Sequence, residues 1–265
     1  MASPSNARGF QFGRNWVAYS SEALTVERIN QARADFSALL RDVPVKGNTF
    51  LDIGFGQGLS LCLAAEMGAV PTGVDIDSDN EIALSSTIKL FSELERPKTI
   101  VGSILDDQVL KNLEGRGGFD IVHSWGVLHH TGNLGLALSN ACRLVKPGGH
   151  LVIAIYNHHF SSPIWKLVKW TYCQLPEVGR ALLIGLLYPP LFLATWLLTG
   201  KHPYASRRGM SFYHDVVDWV GGYPYEYAAA AKVQKLVEDK GFRLLRQEKA
   251  KVPTGNNEFI FQRNA

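Results

Sequence analysis

The run Phe50-Leu51-Asp52-Ile53-Gly54-Phe55-Gly56-Gln57-Gly58-Leu59 constrains this chain more than any other stretch. An apolar segment enters a cluster of glycines and then a helical pattern, Leu59 to Met67. The sequence therefore predicts a strand, a tight turn and a helix. Gly54 and Gly56 can take backbone angles closed to other residues. Without side chains they also let a ligand lie against the main chain. Such a turn suits the sugar or the charged end of a nucleotide-like molecule. Spacing narrows the choice. A dinucleotide-binding turn needs its third glycine five residues after the first, where this chain has Leu59. A phosphate-binding loop needs Gly-Lys-Ser/Thr, which does not follow here. The pattern that stands is Asp-x-Gly-x-Gly-x-Gly.

Further elements follow at regular intervals. A second strand, Ala69 to Ile76, ends in Val74-Asp75-Ile76-Asp77. An acidic residue at that point can accept both hydroxyls of a ribose through its two oxygens. Thr99 to Leu105 carries Gly102-Ser103-Ile104-Leu105-Asp106. Phe119 to His130 reads as a fourth strand and the loop after it, Ser124-Trp125-Gly126-Val127-Leu128-His129-His130. Leu144 to Tyr156 reads as a helix end, a Pro147-Gly148-Gly149 turn and a fifth strand. Strands alternating with helices over 47–157 argue for one α/β unit with a parallel sheet.

In order and spacing, over Asn48 to Asn157, these motifs resemble the class I S-adenosylmethionine-dependent methyltransferases. They are similar in particular to the small-molecule methyltransferases of quinone biosynthesis. The resemblance extends to a final helix and strand pair, Ala228 to Gln262. It implies a Rossmann-like, doubly wound, seven-stranded sheet, mostly parallel with an antiparallel C-terminal strand. It implies S-adenosyl-L-methionine as cofactor. Carried over position by position, it implies a cofactor site of Asp52, Gly54, Phe55, Gly56, Gly58, Asp75, Ile76, Ser103, Ile104, Ser124, Trp125 and Gly126. Asp75 takes the ribose in that scheme, and the residues around Ser103 border the adenine. The competing reading is a Rossmann-like domain for another nucleotide, or for none.

The 265 residues are read as one domain, 1–265, with an insertion at 158–227. A hydrophobic fraction of 46% supports a sizeable core. The net charge of +3 is too weak to suggest nucleic-acid binding, and no lysine- or arginine-rich tract supports it. Cys62, Cys142 and Cys173 are scattered, and buried thiols are expected. No Cys/His cluster has metal spacing, so no metal is expected. Residues 1–9 are small and polar, expected to be disordered, and lack the apolar core of a signal peptide. A reducing cytoplasm fits this usage, with the inner face of a membrane as an alternative address.

Phe10 to Tyr19 is aromatic-rich and precedes a helix, Val26 to Leu40, that Thr25 can cap. In related methyltransferases such a leading segment closes over the cofactor; packing on the sheet edge is the other reading. Between strand five and the last helix the connection is far longer than usual. Ile164 to Tyr172 interleaves bases with apolar and aromatic residues, and Ala181 to Gly200 has no charged residue. Pro189-Pro190 divides that run, so two short apolar helices with a bend between them are expected. The hairpin can cap the active site, dock on another subunit as a homodimer contact, or dip into a membrane surface, where the flanking Arg180, Lys201, Arg207 and Arg208 suit anionic headgroups. Next, Asp218-Trp219-Val220-Gly221-Gly222-Tyr223-Pro224 is similar to a segment carried by a subgroup of bacterial methyltransferases.

Methyl transfer from a sulfonium is an in-line displacement, so alignment dominates and a base is needed only for a protonated acceptor. His129 and His130 follow strand four, at the edge where open α/β sheets bind ligands. With His214 they are the candidate acid–base residues. Tyr19, Tyr156, Tyr213, Asp215 and Asp218 are the candidate acceptor-binding residues. The missing Asp/Asn-Pro-Pro-Tyr tetrapeptide after strand four argues against amide- or adenine-N-methylating enzymes. A hydrophobic acceptor such as a quinone, polyketide or lipid is preferred. A small thiol, hydroxy or amino metabolite stays open, as does a non-catalytic S-adenosylmethionine-binding protein.

Overall fold

The computed structural model describes residues 10–91, 93–200, 202–204 and 211–265. The expectation of disorder over residues 1–9 lies outside them. Seven strands form one sheet in the order β3-β2-β1-β4-β5-β7-β6. They are β1 (Thr49–Ile53), β2 (Val70–Asp75), β3 (Lys98–Val101), β4 (Phe119–Trp125), β5 (Val145–Tyr156), β6 (Phe242–Glu248) and β7 (Asn256–Arg263). β1 runs parallel to β2 and β4, and β5 runs parallel to β4. β7 lies antiparallel to both β5 and β6. This is the mixed sheet expected from the sequence. The strand order reverses between β1 and β4, which opens a crevice at their carboxyl ends.

The central strands are apolar on both faces because helices cover both faces. Alternation sorts the side chains. Leu51, Val122, Ile153 and Phe261 face one core, shared with α5 (Asp107–Glu114), α6 (Leu134–Leu144) and α10 (Ala230–Glu238). Phe50, Ile121, Val152 and Ile260 face the other, shared with α2 (Val26–Leu39) and α3 (Leu59–Glu66). Thr25 caps α2, its hydroxyl accepting from the Arg28 N–H at 3.3 Å. The aromatic leader is itself a helix, α1 (Phe12–Glu22), packed on α4 (Asp79–Ile88).

Between β5 and α10 a third apolar cluster is built from α7 (Ser162–Gln174), α8 (Glu177–Thr199) and α9 (Phe212–Gly221). Here one expectation is corrected. Pro189 and Pro190 do not divide the apolar run, because α8 continues through both. The break falls earlier, at Leu175-Pro176, between α7 and α8. The two prolines remove donors to the carbonyls of Gly185 and Leu186, at a cost of roughly 3 kcal/mol or more each for proline inside a helix. Packing on both sides offsets that cost. Ile184, Leu187 and Tyr188 before the prolines, and Leu191 and Phe192 after them, all pack into the cluster of Tyr172, Phe212 and Val216.

Candidate functional site

A cleft of about 1310 Å³ opens at the carboxyl ends of β1, β2, β4 and β5. One end is the glycine turn. Gly54 has φ +76° and Gly56 has φ +53°, both in the left-handed region. A β-carbon at Gly54 would lie 2.4 Å from Val127, and one at Gly56 would lie 3.0 Å from the Trp16 indole. The turn is thus enclosed by the loop after β4 on one side and by α1 on the other. Asp77 fastens α1 there, its carboxylate accepting from the Gly13 N–H at 2.9 Å.

Asp75, at the end of β2, points into this pocket. Its Oδ2 accepts from the Gly56 N–H and its Oδ1 from the Asp77 N–H, both at 3.0 Å. Burial raises its pKa, and these two hydrogen bonds pull it back. Each oxygen keeps acceptor capacity for a further donor. Asp52, beneath the turn, is paired with His123 Nδ1 at 2.7 Å.

Phe55, Ile76, Ser103, Ile104, Trp125 and Gly126 also line the cleft. Gly58 instead starts α3 behind the turn, and the Ser124 hydroxyl is spent on the Ile53 carbonyl at 3.0 Å. Buried side-chain oxygens without hydrogen-bond partners mark both ends of the cleft. Gln57 Oε1 and Asn80 Oδ1 lie near the glycine turn, and Asn256 Oδ1 and Asp218 Oδ1 line the same wall further along. Buried polar atoms are normally satisfied, so these are the contacts a polar ligand would complete.

The three candidate histidines separate. Consecutive residues of the 3-10 turn Leu128–His130 project in different directions, so His129 and His130 cannot share a role. His129 is fully buried, and its Nδ1 accepts from the Tyr156 N–H at 3.2 Å. Burial holds its pKa well below the ordinary value. His130 lines the cleft, and its Nδ1 donates to the Pro224 carbonyl at 2.6 Å, which leaves Nε2 with the lone pair. Burial, with Lys169 adding to it, brings its pKa down to about 3. His214 stands outside the cleft wall, with Nδ1 on the Ser211 hydroxyl at 2.5 Å and its ring against Tyr19.

Of the candidate acceptor residues, Tyr156, Asp215 and Asp218 meet His130 at the far end of the cleft. Tyr19 is fully buried behind them and Tyr213 is 55% exposed on the outer side of α9. Motif reasoning did not single out Lys169, the most unusual residue here. It is fully buried, with Nζ donating to the Trp219 carbonyl and lying 5.5, 4.7 and 4.8 Å from the ring centres of Tyr156, Trp219 and Tyr225. Burial pulls its pKa down to about 7, against the pull of Asp218. Burial pushes Asp218 up to about 7, with Asp215 adding to it and Lys169 and Asn15 opposing. The signal in the sequence was a basic residue amid the aromatics Trp165, Trp170 and Tyr172.

The half-buried imidazole of His130 has a consequence for acid stability. Its contribution is intact above about pH 6.5, where the unfolded chain's histidine is also neutral, and is lost as pH falls toward the folded value of about 3. At pH 5 the loss is about 2 kcal/mol. In urea denaturation, the stability gap between wild type and His130→Gln should narrow by about that amount from pH 7.5 to pH 5. A gap independent of pH contradicts a His130 held neutral in the fold.

Known proteins resemble this chain in sequence and in fold. A family profile described as a methyltransferase domain matches residues 26–184. A ubiquinone biosynthesis O-methyltransferase from Vibrio vulnificus (strain YJ016) is 26% identical over 167 residues, covering 62% of this chain and 68% of that one. Magnesium protoporphyrin IX methyltransferase from Synechocystis PCC 6803 superposes with a TM-score of 0.56 at 14% identity, over 95% of this chain and 93% of that one. An O-methyltransferase family protein from Burkholderia thailandensis superposes with a TM-score of 0.55 at 16% identity over 89% of this chain, which spans 57% of that protein. The profile match ends within α8, so Asp215 and Asp218 lie beyond it.

Proposed function

This chain belongs to the methyltransferase domain family, as a class I S-adenosylmethionine-dependent enzyme, and we propose that it methylates a small hydrophobic acceptor held between His130, Tyr156 and Asp218. The observation that carries the acceptor class is the wall of the cleft. Beyond the glycine turn Phe10, Phe12, Phe212, Tyr223 and Leu198 give it an apolar lining, beside the polar groups of His130, Tyr156, Asp215 and Asp218. Pockets of that composition bind apolar molecules and orient them through their few polar contacts.

S-adenosyl-L-methionine, when bound, supplies a methyl group made electrophilic by its sulfonium. Gly54, Gly56 and Asp75 would hold it, with Trp16 and the rest of α1 excluding water from that end. At the other end, Asp218 takes the proton of an acceptor hydroxyl. Its raised pKa places it close to neutral pH, where a general base is most effective. Lys169 sits behind it as a counter-charge. His130 stays neutral and offers Nε2 as a hydrogen-bond acceptor that orients the substrate. The three cysteines are free, buried thiols, which supports work in a reducing cytoplasm.

The test is a comparison of acceptors. Hydrophobic phenols should be methylated with kcat/KM at least tenfold above that of short polar hydroxy acids or thiols. Equal or reversed preference contradicts the acceptor class.

A further inference from the structure

We propose that α7 and α8 form a docking face for an anionic lipid surface, on which the protein lies with the mouth of its cleft against the bilayer. This face would meet lipid whatever the methyl acceptor is. On α8, Val178, Leu182, Leu186, Leu193 and Leu197 recur at helical spacing and are 53–75% exposed. They make one apolar stripe along the length of the helix. Phe160, just before α7, and Ile164, Leu167 and Trp170 on α7 are also exposed. Soluble monomers rarely leave so extended an apolar patch bare.

The opposite face of α8 decides how the helix meets lipid. A window of α8 reaches a mean hydropathy of 1.9, enough for a membrane span by composition. Yet Ile184, Leu187, Leu191 and Phe192 pack with Phe212 and Val216 of α9. A spanning helix would have to abandon that cluster. A helix held by one apolar face and bare on the other lies along the surface, with its stripe among the acyl chains.

Charge selects the lipid. Leaving aside the buried Lys169, across 158–208 the sequence places Lys166, Arg180, Lys201, Arg207 and Arg208 against the single acid Glu177, in a chain whose net charge is only +3. Lys166 is exposed beside Ile164 and Leu167. An anionic headgroup layer complements this excess. The cleft supplies the continuity. Thr195, Leu198 and Thr199, near the end of α8, line its wall. A second copy on the stripe would bury the same apolar side chains but gains nothing from the excess of positive charge.

The experiment is vesicle flotation with the full chain, using phosphatidylcholine alone and phosphatidylcholine mixed with phosphatidylglycerol. Binding to the mixed vesicles should exceed binding to phosphatidylcholine at least tenfold. The double variant Leu182→Asp/Leu186→Asp should weaken it at least tenfold. Both positions are more than 70% exposed, so the fold should survive. Unchanged S-adenosylhomocysteine affinity by calorimetry would verify that. Absence of flotation with either vesicle overturns the proposal, as does a double variant that floats as well as wild type. A dimer that the same variant dissociates, without flotation, assigns the stripe to a second copy and also overturns it.

Discussion

Replacing Asp218 with asparagine should lower kcat by about 10²–10⁴-fold at saturating cofactor while leaving S-adenosylhomocysteine affinity within about twofold. The side chain keeps its shape but loses its charge and its ability to take a proton. The carboxylate lines the cleft, has one buried oxygen without a partner, and is surrounded by Asp215 on its own helix, Lys169 on α7, Asn15 on α1 and Tyr156 on β5. The same account sets a pH profile. Log kcat/KM should rise with pH and level off above about 7, where Asp218 is ionised in the free enzyme. Lys169→Met keeps the apolar stem and removes the counter-charge, so the inflection should move to higher pH. Full turnover in Asp218→Asn would leave alignment alone as the catalytic device. A changed melting temperature with unchanged turnover would make the residue structural.

The second large effect falls at the other end of the cleft. Asp75→Ala should weaken S-adenosylhomocysteine binding by about 1.5–3 kcal/mol, or roughly tenfold to a hundredfold. The variant loses the acceptor for a ribose and also the two oxygens that hold the Gly56 and Asp77 N–H groups in place. Asp75→Asn should fall between the two, because an amide keeps one accepting oxygen. Gly56→Leu is more severe: a β-carbon there already crowds Trp16 at 3.0 Å and the backbone sits at φ +53°, so binding should be lost while the sheet stays folded. Calorimetry reads all three. Wild-type affinity in Asp75→Ala would remove that carboxylate from the site.

The glycine turn and Asp75 were legible because they express local backbone chemistry. Asp-x-Gly-x-Gly-x-Gly requires left-handed angles wherever it folds as a turn, and an acid at the end of the second strand sits at the edge of the crevice whatever packs around it. The sheet followed from the same elements in order. The far end of the cleft is a tertiary product. His129 and His130 are neighbours in sequence, and only the 3-10 turn sends one into the core and the other into the cleft. Lys169 resembles any base on an amphipathic helix until Trp219 and Tyr225, some 50 residues on, close around it. His214 has a chemically suitable side chain, but Ser211 and Tyr19 occupy it away from the cleft. Pro189-Pro190 carries a strong local preference for a bend, and the packing of Leu187, Tyr188 and Phe192 overrides it.

The most direct measurement is methyl transfer itself. The purified chain is incubated with S-adenosylmethionine labelled in its methyl group and an extract of small molecules, and the products are divided between an organic and an aqueous phase. Enzyme-dependent label is expected in organic-soluble products, with one S-adenosylhomocysteine formed per methyl transferred, and loss of both in Asp218→Asn. Label confined to the aqueous phase would contradict the hydrophobic acceptor, and no label in either phase would contradict the assignment of the cleft as a methyl-transfer site.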